Sequence, residues 1–437
     1  MAENDQEALL LKQVEDITDD WVVRLLPNIH HLQHYDYRPS GVEPRLHLRK
    51  WSREESSNTD TLAGFSSTRA TISVEYEVEG EVEGEVEGEG ATTAKRLRKE
   101  YFLVKVIPTE GHMANVLTSE GMHHAEVDHY GRFLRALRAW EAERRSGVGV
   151  IAEIVPAHAL AVSTENHFTL VLPDITHLGY QMNTVEEGMS EEQVLVVASK
   201  IGNFHGTVVA YKVITDTNLQ TAFPRCFHQP RVDSQLFSVF AKAGFDRLRQ
   251  EWSGEARLSR ILELLETYEA ITDVFVVSNL KPLEPFATAL HGDLQPSNIF
   301  FKHNSQGQLT LKLIDWATAR YSQGPVDLVY LLNVGVSTQV RRKVTQAAKD
   351  AYFDGFNAAL TELNANLSYP REVFEQQFLK CRQLMVIWSV MCFNLFLTTE
   401  QLRERLVAIL SDVLFDAAVP PPQLSSSDSS HSQIPST

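Results

Sequence analysis

The feature that most restricts what this chain can fold into is a change of pattern near Leu172. Before it, short runs such as TISVEY, YFLVKVI and HFTLVL are rich in β-branched and aromatic residues, with one helical stretch from His123 to Arg145. After it, helical periodicity runs through residues 190–214, 234–249, 257–271, 339–363, 371–397 and 400–415. An α+β chain is expected, a small β-rich lobe followed by a larger helical one. With 437 residues, 43% of them hydrophobic, the chain can fill two cores. The expected boundaries are a helical extension over 1–59, the β-rich lobe over 60–172, the helical lobe over 173–415 and a Pro/Ser-rich tail over 416–437.

Residues 77–90 read EVEGEVEGEVEGEG, with seven glutamates and four glycines, and are expected to form an acidic, disordered connection between two strands, Ala70–Tyr76 and Tyr101–Ile107. The acidic spacing lacks a calcium-loop pattern. The tail is expected to be disordered as well. With 40 basic against 57 acidic side chains, the formal charge of −17 argues against a nucleic-acid coat or a binder of anionic membranes. Cys226, Cys381 and Cys392 are too scattered for a disulfide framework or a zinc site, which points to a reducing, cytoplasmic setting. The amino terminus lacks the charge order of a secretory signal. Leu384–Leu397, interrupted by Ser389 and Asn394, is too short to insert in a membrane and reads as a buried helix.

The chemistry concentrates in His291-Gly-Asp-Leu-Gln-Pro-Ser-Asn298, followed by Ile299-Phe-Phe, a turn at 304–307, and Leu311-Lys-Leu-Ile-Asp315-Trp316. A loop aspartate, an asparagine five residues on, and a second aspartate after a hairpin supply one base and two oxygen ligands suited to magnesium on nucleotide phosphates. His123, His124 and His129 lack zinc-motif spacing and are expected to be ordinary packed or solvated side chains.

HGDLQPSNIFF, LIDW and GPVDLVYLL resemble the core of the aminoglycoside phosphotransferase and choline kinase superfamily. With LVKVIP, EVDHY, LVLPDITHLGY and SKIGNFHG in order, the chain resembles its ecdysteroid-kinase-like, or CHK kinase-like, branch over roughly residues 60–400. The resemblance implies a two-lobed protein-kinase-like fold, with Asp293 as catalytic aspartate, Asn298 and Asp315 as metal ligands, Lys105 as the small-lobe lysine and Glu126 as its helix partner. His291 is expected to brace the loop and Asp327 to anchor it. Ser66 and Ser67 are candidates for phosphate contact, although Ala63-Gly-Phe-Ser-Ser-Thr68 carries a single glycine. Leu170–Ile175 fits a linker that holds an adenine edge. Gln295 and Ala317 depart from residues common in relatives, which bears on steroid specificity.

The expected function is transfer of the ATP γ-phosphate, with Mg²⁺, to a hydroxyl of a small molecule, a sterol or other apolar alcohol. Alternatives are an aminoglycoside or choline-type kinase, or a non-catalytic kinase-fold binding protein. A protein kinase is disfavoured because the stretch from Asp315 to Asp327 is too short for an activation segment.

Overall fold

The computed structural model describes residues 8–33, 45–54, 68–79, 95–106, 122–164, 167–227 and 236–417, arranged in two compact units. The first comprises residues 1–136 with 155–180, the second 137–154 with 181–437.

In the first unit, strands β1 (Arg45–Glu54), β2 (Thr68–Glu79), β3 (Lys95–Val106), β4 (Leu160–Ser163) and β5 (Phe168–Pro173) form one antiparallel sheet in the order β1-β2-β3-β5-β4. Ile72, Val74, Tyr76 and Val78 are fully buried along one face of β2, while Glu75, Glu77 and Glu79 on the other pair with Lys99, Arg49 and Lys95. This two-residue alternation explains why the strand runs three residues into the acidic repeat, to Glu79. Residues 80–90 of the repeat lie outside the described residues, as does the tail from 418.

Helix α1 (Asp19–Gln33) packs Trp21, Val22, Leu25, Leu26 and Ile29 into the same core. Its approach is fixed by Trp21 Nε1, which donates to Leu9 O at 2.9 Å, and by Leu11 N, which donates to Thr169 Oγ1 at 2.7 Å. The stretch 1–59 is thus more than a helical extension, since it also supplies β1. That strand is basic, and only Leu46, Leu48 and Trp51 pack against the core, as suits a sheet edge. Helix α2 (Met122–Asp128) passes through a wide turn at His129–Phe133 into α3 (Leu134–Ala142).

The second unit is built on α5 (Glu191–Thr215), which follows the short α4 (Val150–Ile154) in the chain. Ser190 and Gln193 cap its start reciprocally, each side chain bonding to the other's backbone N–H. Further on come α6 (Leu219–Ala222), α7 (Leu236–Trp252), α8 (Ser259–Glu269) and α9 (Thr272–Asn279). Two small sheets follow. Strands β7 (Ala287–Leu290) and β10 (Arg320–Gln323) pair antiparallel, and β6 (Gln181–Met182) lies beside the hairpin of β8 (Ile299–His303) and β9 (Leu309–Leu313). The chain closes with α10 (Pro325–Val334), α11 (Thr338–Glu362), α12 (Arg371–Arg382), α13 (Leu384–Met391), α14 (Phe393–Phe396) and α15 (Glu400–Leu414). The helix expected over 371–397 is therefore three helices, and the apolar run Leu384–Leu397 breaks at Cys392. Among the described residues no helix is long and apolar enough to cross a membrane.

Helices α5 and α11 meet at backbone contact. A Cβ at Gly202 would lie 2.1 Å from Tyr352 O, one at Gly206 2.3 Å from Phe356 O, and one at Gly355 2.3 Å from Ser199 O. Glycine is required there by space alone. Gly202→Ala should therefore lower stability by about 1–3 kcal/mol in denaturant unfolding, against the roughly 1 kcal/mol that alanine gains in helix propensity. Gly254→Ala, with nothing within 4 Å of the added methyl, should stay within about 0.5 kcal/mol. Equal midpoints for the two variants would contradict the contact.

Candidate active site

In the first unit, Lys105 sits near the end of β3, where the burial pattern changes from alternating to continuous. Its Nζ lies 2.5 Å from Glu126 Oε2 on α2, and the two residues are 9% and 2% exposed. A pair so shielded persists only when matched, because removing one partner leaves a buried charge uncompensated. Ser66 and Ser67 lie outside the described residues. In β5 the Leu170–Pro173 segment pairs with β3, and Asp174 N donates to Tyr101 O at 2.8 Å as the chain leaves the sheet. His129 is buried, with Nδ1 3.1 Å from Ala125 O.

In the second unit, β7 delivers the chain into His291-Gly292-Asp293. Gly292 takes φ +85°, and a Cβ there would meet Thr318 O at 2.4 Å, so this turn admits only glycine. Asp327, fully buried in the first turn of α10, accepts from His291 N at 2.7 Å and Gly292 N at 2.9 Å. His205 on α5 places Nε2 3.3 Å from the same carboxylate, and its Nδ1 is 2.7 Å from Tyr352 Oη. His291 lies with Nε2 2.9 Å from Ile314 O and its ring 4.6 Å from the buried Trp316. Burial holds its imidazole pKa below the usual value, with Asp327 opposing the shift.

Asp293 emerges from this brace part-buried. Its Oδ1 accepts from Tyr330 Oη at 2.7 Å, and its Oδ2 from Gln295 Nε2 and Asn298 Nδ2, each at 2.9 Å. Burial raises its pKa, the Tyr330 bond lowers it, and the charge of Asp315 raises it again. The β8–β9 hairpin then returns the chain, with Ile299 opposite Leu313, and Ile314 N donates to Asn298 O at 3.1 Å. The next residue, Asp315, adopts φ +66°.

This arrangement fits a hard divalent cation. Asn298 spends its amide nitrogen on Asp293, at the carboxylate and at the backbone oxygen 3.0 Å away, which leaves its amide oxygen to act as a ligand. Together with the Asp315 carboxylate that is an all-oxygen donor set, the kind magnesium takes.

Three neighbours of Asp293 carry more than the sequence reading gave them. Tyr330 lies three residues beyond Asp327 and so on the same helix face, the one local signal of its role. Gln295, read above as a departure bearing on specificity, holds the Asp293 carboxylate. Arg320, 5% exposed at the start of β10, has its pKa lowered by burial to about 10 in spite of Asp327 and Asp293, and its guanidinium lies 6.0 Å from the Trp388 ring centre. Of the late aromatic residues, Tyr352, Phe356, Tyr369, Phe374, Phe378 and Phe396 are core.

The profile of the ecdysteroid kinase-like family matches residues 65–365. The chain belongs to that family. The matched range contains both the Lys105–Glu126 pair and the Asp293, Asn298 and Asp315 set. No curated protein sequence matches the chain significantly. Among solved structures the chain is similar to a Plasmodium vivax ethanolamine kinase, at 10% identity over 94% of each chain with a TM-score of 0.37. It is also similar to the choline kinase LicA from Streptococcus pneumoniae, at 11% identity over 89% of this chain and 99% of that one with a TM-score of 0.37. A third is the GDP complex of wild-type aminoglycoside 2′-phosphotransferase-IIIa, at 10% identity over 88% and 97% with a TM-score of 0.39.

Asp327→Ala should cost about 3–5 kcal/mol of unfolding free energy, because two buried amides lose their acceptor. Asp246→Ala, which removes exposed ion pairs to Lys242 and Arg249, should cost no more than about 1 kcal/mol. Comparable losses would show that Asp327 is no anchor.

Proposed function

We propose that the protein transfers the γ-phosphoryl group of ATP to a hydroxyl of a small, largely apolar alcohol. The observation that carries this reading is the state of Asp293, whose two carboxylate oxygens are aimed by Tyr330, Gln295 and Asn298 and whose loop is braced by Asp327. Membership of the ecdysteroid kinase-like family supports the same class.

In this reading Asp293 orients the acceptor hydroxyl and takes its proton as the oxygen attacks phosphorus. Oδ1 can accept the Tyr330 hydroxyl and the acceptor hydroxyl together, since each carboxylate oxygen offers two lone-pair directions. Lys105, held by Glu126, meets nucleotide phosphate oxygens as a fixed cation. Asn298 and Asp315 would hold Mg²⁺, which neutralises phosphate charge when bound. The helical unit's late apolar stretch, Val386–Leu397, contains no carboxylate, so it offers nothing to pair the ammonium groups of an aminoglycoside.

Asp293→Asn should keep nucleotide affinity while turnover falls by about two to four orders of magnitude. Matched panels of sterols, choline analogues and aminoglycosides assign the acceptor. Near-normal turnover in the variant defeats the assignment of Asp293, and turnover confined to aminoglycosides or choline defeats the apolar acceptor alone.

The pH dependence follows from the same carboxylate. Turnover requires ionised Asp293, and burial raises its pKa, so the acid limb of kcat/KM should lie above the pH at which an exposed aspartate titrates. Tyr330→Phe removes a hydrogen bond that favours the charged form and should move that limb further up. A limb that stays or moves down in the variant would contradict the role of Tyr330.

A further inference from the structure

A cavity of about 740 Å³ lies in the second unit among α11, α12 and the end of α15, backed by Leu332 and Asn333 at the end of α10. It contains none of the Asp293 machinery, and most of its wall lies beyond residue 365, outside the range the family profile matches. Its volume is that of a site for a small organic molecule.

Its charge runs against that of the chain. Arg341, Arg342, Lys349 and Arg382 line it, against the carboxylates of Glu375, Asp412 and Asp416, in a protein of formal charge −17. Asp412 is shared, with Oδ2 2.7 Å from Arg341 Nη2 and Oδ1 2.7 Å from Arg342 Nη2. Arg382 donates through Nη2 to the backbone oxygen of Asp412 at 2.7 Å, and through Nη1 to Asp416. The Asp412 carboxylate thus gathers two guanidinium groups from α11 and its backbone oxygen a third from α12, and each guanidinium has five N–H donors. The Arg341 side chain is 6% exposed, and that of Arg342, at the rim, is 59% exposed. The convergence of fixed forks is the arrangement that recognises oxyanions.

The remainder of the wall mixes the polar Asn333, Thr345, Gln376 and Ser411 with apolar side chains. Lys349 is paired with Glu375 at 2.5 Å and has its Nζ 5.1 Å over the Phe378 ring, Leu379 and Val413 are part of the same lining, and Phe415 stands 53% exposed to solvent. A phenyl ring left half in water next to a cationic wall is suited to a ligand with two ends.

We propose that this cavity binds a small amphipathic oxyanion, a phosphate or carboxylate head joined to an apolar body. The head meets Arg342, Arg382 and Lys349, and the body covers Phe415 and Phe378. The site does not depend on the phosphotransfer reading, because neither Asp293 nor Lys105 takes part.

Calorimetric titration of the full chain with hexyl phosphate and with hexanoate separates the two head groups, with hexanol and hexylammonium as neutral and cationic counterparts. Saturable binding of at least one anion is expected, weakening as salt rises. Arg342→Glu and Phe415→Ser should each reduce that affinity, the first by about tenfold or more. Both residues are exposed, so both variants should fold as the wild type does, and circular dichroism and the melting curve check this. Absence of binding by either anion, binding of hexanol as strong as that of the anions, or unchanged affinity in Arg342→Glu would each overturn the proposal.

Discussion

The second unit depends on one buried carboxylate. Asp327 is fully inaccessible, yet it accepts from the amides of His291 and Gly292, and the imidazole of His205 lies 3.3 Å away. Desolvating a carboxylate is expensive, and it persists only where fixed dipoles replace the water it has lost. That requirement works in both directions. The loop must present its amides to satisfy the charge, and the charge in turn holds the loop in the turn that Gly292 makes possible. Asp293 inherits its position from this arrangement before any ligand is involved.

A second buried charge pair works differently. Lys105 and Glu126 neutralise each other inside the first unit, on a strand and a helix brought together by the sheet. The ammonium is placed by the register of β3 and held by Glu126. A one-residue slip of β3 would carry Lys105 to the opposite face, and the fully buried Val104 and Phe102 beside it make that slip costly.

Much of this was legible because it is local. Asp293, Asn298 and Asp315 lie within one loop and one hairpin, and their order in the chain is enough to suggest their chemistry. Lys105 and Glu126 could be paired only through a family resemblance, since nothing in LVKVIP by itself distinguishes a phosphate-binding lysine from an outward-facing one. The tertiary contributions were not legible. His205 meets Tyr352 across a separation of 147 residues, and Tyr330 reaches Asp293 only because α10 folds back beneath the loop. The ten residues of the edge strand β1 are mostly polar, and residues 77–79 have the composition of a loop although Val78 between the two glutamates is core. In both places a strand with only one buried face looks, in composition, like no strand at all.

The glycine seam between α5 and α11 has a consequence for how this protein can vary. Gly202, Gly206 and Gly355 bring two helices to the distance at which a backbone carbonyl fills the place of a side chain. Gly206 directly follows His205, so the depth of the imidazole beneath the Asp327 carboxylate is set by the thickness of a residue that touches neither. The seam is in effect a gauge for the Asp293 loop. A lineage that thickened it by a single methyl would need to re-space a helix pair, a histidine and a loop together. These three glycines should therefore resist drift as strongly as the acidic residues, although none of them bears a charge.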